Sequence, residues 1–318
     1  MDNFSTPVKY SVKRPRSPVS IPPSPFLKRL GYGTGVAVYK LERSPQANQI
    51  RSPWAIKKII KQHVNNGELK KRLYDEAEVL RRLNNPHIVG FRGLIKNIKN
   101  ENCLAMENCT VSLGDMIEKR RENELSAFPA KNIMKVAVDI AEALNYLHTE
   151  VFLLHCDIKS YNILINGDFD TCKLCDFGVT LPLTANGEVD YSKIGKDVDY
   201  LGTRLWSPPE VFKYPPIVTT KADIYSYGLV LWEMLALQPP CLDVLNETDC
   251  SLDEFDENDS SIGRRPDLPD IDFDASYKYV LEIFHCCTET DYYTRPSALD
   301  LTISIPEMIK EIDTVNIA

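Results

Sequence analysis

The sequence predicts an α+β protein of two lobes, a small β-rich lobe with one helix first and a larger, mainly helical lobe after it. Three observations carry this expectation. From Phe26 to about Glu107, short apolar runs read as strands and are broken by one helical stripe. From Ser112 onward, apolar residues recur at helical spacing. Residues 222–237 are apolar nearly all round, the composition of a helix at the centre of a large lobe. The 318 residues, 43% hydrophobic and 26% charged, suffice for one large domain or two smaller ones with ample core.

In chain order, residues 1–25 carry Pro7, Pro15, Pro18, Pro22, Pro23 and Pro25 among serines and basic side chains, with no hydrophobic periodicity. They read as a disordered regulatory tail. Val36-Ala37-Val38-Tyr39, Trp54-Ala55-Ile56 and Cys103-Leu104-Ala105-Met106 read as strands of a first lobe over 26–108. Between them, Leu69, Leu73, Leu80 and Leu83 form a helical stripe over 68–83. The second lobe is expected over 109–312. Ser112 can cap a helix over 113–120, and Ile133, Val136, Ala137, Ile140, Ala141, Leu144 and Leu147 mark another over 130–148. The acidic run 243–259, with Glu247, Asp249, Asp253, Glu254, Asp256 and Glu257, reads as a solvated loop, a docking site for basic partners being the alternative. Residues 313–318 form a C-terminal tail.

Composition excludes several function classes. A net charge of −8 argues against direct nucleic-acid binding. No run of about 18 apolar residues exists to span a membrane. The opening MDNFSTPVKYSVKR lacks an apolar secretory core, so a reducing compartment, cytoplasmic and/or nuclear, is expected. The nine cysteines, odd in number and without framework spacing, read as free thiols. Cys172 and Cys175 form a C-x-x-C, but no second pair completes a zinc site.

The chemistry-bearing segments come in a fixed order. "LGYGTGVAVYK" at 30–40 puts Gly31, Gly33 and Gly35 between strand signals, where glycine lets backbone N–H groups approach phosphates. "WAIKK" at 54–58 places Lys57 in an apolar strand. Glu76 lies within the helical stripe, and a carboxylate there needs a cation to offset its desolvation. A pair with Lys57 would meet that need, a tolerated edge residue being the alternative. "HCDIKSYN" at 155–162 gives H-x-D-x-K-x-x-N, "CDFG" at 175–178 gives Asp176-Phe177-Gly178, and "GTRLWSPPE" at 202–210 ends in Pro208-Pro209-Glu210. Asp223 opens the apolar helix, and Arg295 stands in "RPSA".

Together, in this order and at these separations, the segments resemble the eukaryotic protein kinases over about residues 26–310. The resemblance implies the two-lobed eukaryotic protein-kinase fold and phosphoryl transfer from ATP with Mg²⁺ to protein substrates. It implies roles residue by residue. Asp157 would accept the proton of the substrate hydroxyl, Lys159 would neutralise charge on the transferred group, and Asn162 and Asp176 would hold Mg²⁺. Lys57, held by Glu76, would contact phosphates. Leu30, Gly31, Gly33, Gly35, Val38, Ala55 and Met106 would enclose the nucleotide, and Glu107-Asn108-Cys109 would form the hinge that bonds adenine. Glu210 and Arg295 would pair. Lys159 implies serine and threonine acceptors.

A closer resemblance rests on "FLKRLGYGTGVAVY", "SPWAIKK", "KRLYDEAEVL", "CLAME", "LHCDIKS", "GDFDTCKLCD" and "TKADIYSYGLVLWEM". These are similar to the PDZ-binding kinases, also called T-LAK-cell-originated protein kinases. That family implies serine/threonine kinases related to MAP-kinase kinases, with dual specificity and mitotic roles. The ending Val315-Asn316-Ile317-Ala318 lacks the S/T-x-hydrophobic terminus of PDZ ligands, which argues against that interaction. Thr6, in Thr6-Pro7-x-Lys9, fits the pattern of cyclin-dependent kinases and is a candidate regulatory phosphosite.

Two positions depart from the general kinase template. Val36 stands where a third loop glycine is expected, and Cys156 where an arginine is expected. They support a rival reading, a pseudokinase scaffold that binds partners without catalysis. Cys156 carries no charge and cannot pair with a phosphorylated activation segment. The segment 176–210 is therefore expected to be ordered by other means, Asp197 and Asp199 supplying negative charge. Thr203 is expected to face Asp157 or the substrate and is a second candidate for phosphorylation.

Overall fold

The computed structural model describes residues 27–33, 35–46, 49–195, 199–240 and 263–315. The expectations for the tail with Thr6, for the acidic run 243–259, for Asp197 and for the last three residues lie outside the described residues.

The first lobe is a five-stranded antiparallel sheet in the order β1-β2-β3-β5-β4. Its strands are β1 (Lys28–Gly33), β2 (Val36–Gln46), β3 (Gln49–Ile59), β4 (Phe91–Lys96) and β5 (Asn102–Glu107). β5 lies between β3 and β4, and its side chains alternate between two faces. Leu104 and Met106 join the main core with Leu73, Ala77 and Leu80, while Cys103 and Ala105 join Leu41, Trp54 and Ile56 behind the sheet. This two-sided burial explains an unbroken apolar run in a strand. β2 and β3 extend well past the apolar runs that announce them. Their outer halves pair Arg43 with Arg51 and Gln46 with Gln49, and the Arg43 guanidinium lies 4.1 Å from the Trp54 ring centroid. Such polar pairing leaves no hydrophobic signal.

Helix α1 (Gly67–Leu80) begins where the Asn66 side chain accepts hydrogen bonds from Glu68 N and Leu69 N. It ends before Leu83, ahead of Asn84-Asn85-Pro86. Ser112 caps α2 (Leu113–Glu122) by accepting from Asp115 N, as the sequence suggests. Helix α3 (Ala130–Asn145) continues into a π-type turn, Tyr146–Val151, that stops at the left-handed Phe152. Two small sheets follow: β6 (Val111–Ser112) with β8 (Ile163–Asn166) and β9 (Thr171–Leu174), and β7 (Leu153–Leu154) with β10 (Leu181–Pro182). A short helix, α4 (Tyr191–Ile194), precedes the central α5 (Thr220–Ala236), in which every residue from Ala222 to Leu235 is buried. α6 (Lys278–Cys287) packs on α5, and α7 (Ala298–Val315) on α3. No helix of the described residues is long and apolar enough to cross a membrane. The described cysteines are free, Cys172 buried in β9 and Cys175 just beyond it.

Candidate active site

Lys57 projects from β3 between two carboxylates. Its Nζ lies 2.8 Å from Glu76 Oε2 on α1 and 2.8 Å from Asp176 Oδ1. Burial alone would lower the lysine pKa, but Asp176 and Glu76 outweigh it and hold the ammonium protonated. Burial pushes Glu76 up to about 7. The Lys57–Glu76 pair expected from the sequence is therefore formed, and the structure adds Asp176 as a third member.

The loop between β7 and β8 is held by α5. Asp223 accepts from His155 N at 2.9 Å and from Cys156 N at 2.9 Å, and its Oδ2 lies 2.8 Å from His148 Nε2. These bonds fix Cys156 at φ +70°, a left-handed conformation few non-glycine residues adopt. His155 bridges to the next segment. Its Nδ1 accepts from Asp157 N at 3.2 Å, so Nε2 carries the proton towards Cys175 O at 3.1 Å. Its ring meets Phe177 edge-on, centroids 5.0 Å apart, and burial keeps it neutral.

Asp157 stands at the centre of a polar triangle. Its Oδ1 accepts from Thr203 Oγ1 at 2.6 Å and Thr203 N at 3.2 Å, and its Oδ2 from Asn162 Nδ2 at 2.9 Å. Lys159 Nζ lies 2.9 Å from Asp157 Oδ2 and donates to Thr203 Oγ1 at 2.7 Å. Burial would raise the Asp157 pKa, but Lys159 and Thr203 outweigh it and depress it, so the group is ionised at neutral pH. Asp176 is depressed in the same way, with Lys57 outweighing burial. Thr203 thus faces Asp157, as expected.

The donor chemistry fits Mg²⁺. Asn162 uses its amide N–H groups on Asp157 O and Oδ2, which leaves its oxygen for a cation. The Asp176 side chain is 40% exposed although Lys57 takes one oxygen. Two oxygen donors beside the Asp157 carboxylate suit a hard divalent ion.

The residues expected to enclose a nucleotide also assemble. Strand register sets Gly31 opposite Val38 and Ala55 opposite Met106. Leu30, Val38, Ala55 and Met106 belong to one apolar cluster with Leu164 and Cys175 from the second lobe. Gly33 pairs with Val36, and among the described residues there Gly35, at φ +78°, has a left-handed backbone that suits glycine. Val36, where a glycine was expected, is a paired strand residue opposite Gly33 and Ile59. The Glu107 side chain is engaged by Lys173 and Gly90, accepting from Lys173 Nζ at 3.0 Å and from Gly90 N at 3.0 Å. Cys109 is buried, and its carbonyl accepts from Asn108 Nδ2 at 3.0 Å.

Sequence reasoning missed Glu233. It accepts from Ser160 Oγ at 2.6 Å, Ser160 N at 3.3 Å and Trp206 Nε1 at 2.8 Å, tying the catalytic loop to the segment before Glu210. Burial pushes its carboxyl up to about 7. The signal was present, since a lone glutamate deep in an apolar helix needs partners. Leu164 was missed as well, because one leucine in a short strand resembles any core residue. Glu210 and Arg295 do pair, at 2.6 and 2.8 Å, both fully buried.

The comparisons agree with this geometry. The protein kinase domain model matches residues 25–304. The human lymphokine-activated killer T-cell-originated protein kinase is 42% identical over 313 residues, covering 94% of this chain and 96% of that protein. The probable serine/threonine-protein kinase SIS8 of Arabidopsis thaliana is 28% identical over 91% of this chain, which spans 25% of that longer protein. The mitogen-activated protein kinase kinase kinase zak-1 of Caenorhabditis elegans is 30% identical over 54% of this chain and 23% of its own length. Lys57 held between Glu76 and Asp176, an ionised Asp157 and near full-length similarity lead to one conclusion: the chain belongs to the protein kinase family and, within it, to the lymphokine-activated killer T-cell-originated protein kinases.

Proposed function

We propose that the chain transfers the γ-phosphoryl group of ATP, with Mg²⁺, to serine and threonine hydroxyls of protein substrates. The observation that carries this reading is the Asp157–Lys159–Thr203 triangle, which sets an ionised carboxylate and a lysine side by side at the mouth of the activation segment. Asp157 orients the acceptor hydroxyl and takes its proton as the oxygen attacks. Lys159 offsets the negative charge of the moving group, and Lys57, fixed by Glu76, positions phosphate oxygens. Asn162 and Asp176 would hold Mg²⁺, which when bound neutralises phosphate charge. Leu30, Val38, Ala55, Met106 and Leu164 exclude water around the base, and the 107–109 backbone orients it.

Further features belong to the same reading: tyrosine as an additional acceptor, a role in mitotic or MAP-kinase signalling, and priming at Thr6 by a cyclin-dependent kinase. Membership of the family supports them. Free thiols among the described residues suit a cytoplasmic and/or nuclear setting. The test is incubation of purified protein with ATP and an arrayed peptide library, with Mg²⁺ and then with excess chelator. Transfer to Ser/Thr peptides that stops with chelator and returns with Mg²⁺ is expected. Transfer unaffected by chelator would remove Asn162 and Asp176 from their assigned roles.

A further inference from the structure

The first lobe carries a cavity of about 280 Å³ beside α1, and none of its lining residues belongs to the candidate active site. Three segments wall it: the end of β3 with the turn after it, the first half of α1, and the turn between β4 and β5. Ile59, Val64 and Leu73 give it an apolar side, and Lys58 and Lys70 a cationic one. The one carboxylate in the lining, Glu101, is engaged by the turn itself, accepting from Asn97 Nδ2 at 2.6 Å.

The walls are held by their own hydrogen bonds. His63 N donates to Ile60 O at 3.0 Å, and Asn66 N to His63 O at 2.9 Å. On the other side Asn97 Oδ1 accepts from Lys99 N at 2.9 Å and Glu101 N at 3.0 Å. A ligand here need not order the backbone that receives it. The same turn leaves Ile98 69% exposed and sets Lys99 beside it.

The charge around this cavity has one sign. Burial lowers the Lys58 pKa most, and the ammonium groups of Lys61 and Lys99 push the same way against Glu101. Among the described residues none of Lys61, Lys70, Lys71 and Lys99 has a carboxylate within ion-pair distance, and Glu68 is held by Arg72 at 2.7 Å. Residues 26–108 hold 16 lysines and arginines against 7 aspartates and glutamates, in a chain of net charge −8. An acidic partner is therefore drawn to this lobe and repelled by the remainder. A bare anion would leave Ile59, Val64 and Ile98 uncovered, so the ligand needs an apolar side chain as well.

We propose that this cavity docks an acidic peptide segment of a partner protein, one aromatic or aliphatic side chain seated on Ile59, Val64 and Leu73 and flanking carboxylates on Lys70 and Lys99. The inference does not depend on phosphoryl transfer, and its test reads binding alone.

The probe is a fluorescent synthetic peptide with one phenylalanine flanked by aspartates and glutamates, titrated with the full chain by anisotropy. Saturable binding that weakens as salt rises is expected. Alanine in place of the phenylalanine should weaken it by about tenfold or more, the worth of burying one ring. The same peptide with lysines for its carboxylates should not bind. Lys70→Glu with Lys99→Glu should weaken binding by about tenfold or more, whereas Lys119→Glu, the same charge change on the exposed face of α2, should leave it within about twofold. Bound peptide should slow amide hydrogen exchange over 58–73 and 96–102. Equal affinity of the alanine peptide, equal loss with Lys119→Glu, or slowed exchange confined to other segments would each overturn the proposal. Neutralising the carboxylates of 243–259 in the full chain gives a last arm. Unchanged affinity supports a partner as occupant, and a tenfold gain would assign the cavity to the chain's own acidic run and overturn the partner assignment.

Discussion

Lys57 stands at equal distance from two carboxylates, one on α1 and one 119 residues further along the chain. Its replacement by methionine removes the cation that both share and leaves Glu76 and Asp176 facing each other. Lys57→Met should abolish phosphoryl transfer and lower the thermal midpoint, measured by steady-state kinetics and thermal unfolding. Asp157→Asn is a cleaner probe, since the amide keeps the shape but cannot take a proton. Its kcat should fall by about 10²–10⁴-fold with an unchanged fold. Thr203 gives a third test. Its hydroxyl bridges Asp157 and Lys159, so a phosphate there, about −1.5 to −2 charges, would press against the Asp157 carboxylate. Thr203→Glu should be nearly inert, whereas Thr203→Ser should retain turnover. The Lys57–Glu76 pair was legible in the sequence because a carboxylate on a buried helical stripe asks for a cation. Asp176 as third partner was not, because only the tertiary fold joins positions so far apart.

At the scale of elements, α5 does more than fill the core. Asp223 near its start and Glu233 near its end grip the catalytic loop at His155–Cys156 and at Ser160. Glu233, raised by burial from 4.5 to about 7, gives a pH signature. Between those values the folded state keeps a proton that the unfolded chain has lost, so stability falls as pH rises from about 4.5 to about 7. Glu233→Gln should reduce the slope of that part of the stability–pH curve in denaturant titrations, Glu76, raised in the same way, supplying the remainder. Asp157 and Asp176 work the other way. Their depressed values contribute stability above the ordinary carboxylate range that is lost as pH falls through the folded pKa. The Glu210–Arg295 pair is buried completely, and removing one partner strands the other. Arg295→Met should cost about 3–5 kcal/mol of unfolding free energy.

For the molecule as a whole, the two-lobed order was readable because each lobe has its own periodicity. The central helix announced itself by composition, and α1 by its stripe. The outer halves of β2 and β3 were not readable, because the residues that pair there, Arg43 with Arg51 and Gln46 with Gln49, are polar. The residues proposed for catalysis were readable in order, since phosphoryl transfer would need those side chains at those spacings. What holds them was less so: Glu233 and Leu164 are residues of ordinary type given meaning by packing. The central claim is that this assembly transfers phosphate through Asp157. Radiolabelled ATP, Mg²⁺ and a Ser/Thr peptide library, with wild type and Asp157→Asn purified side by side, test it most directly. The account predicts phosphoserine and phosphothreonine with wild type and almost none with Asp157→Asn. Equal incorporation by both proteins, or none by wild type, would contradict it.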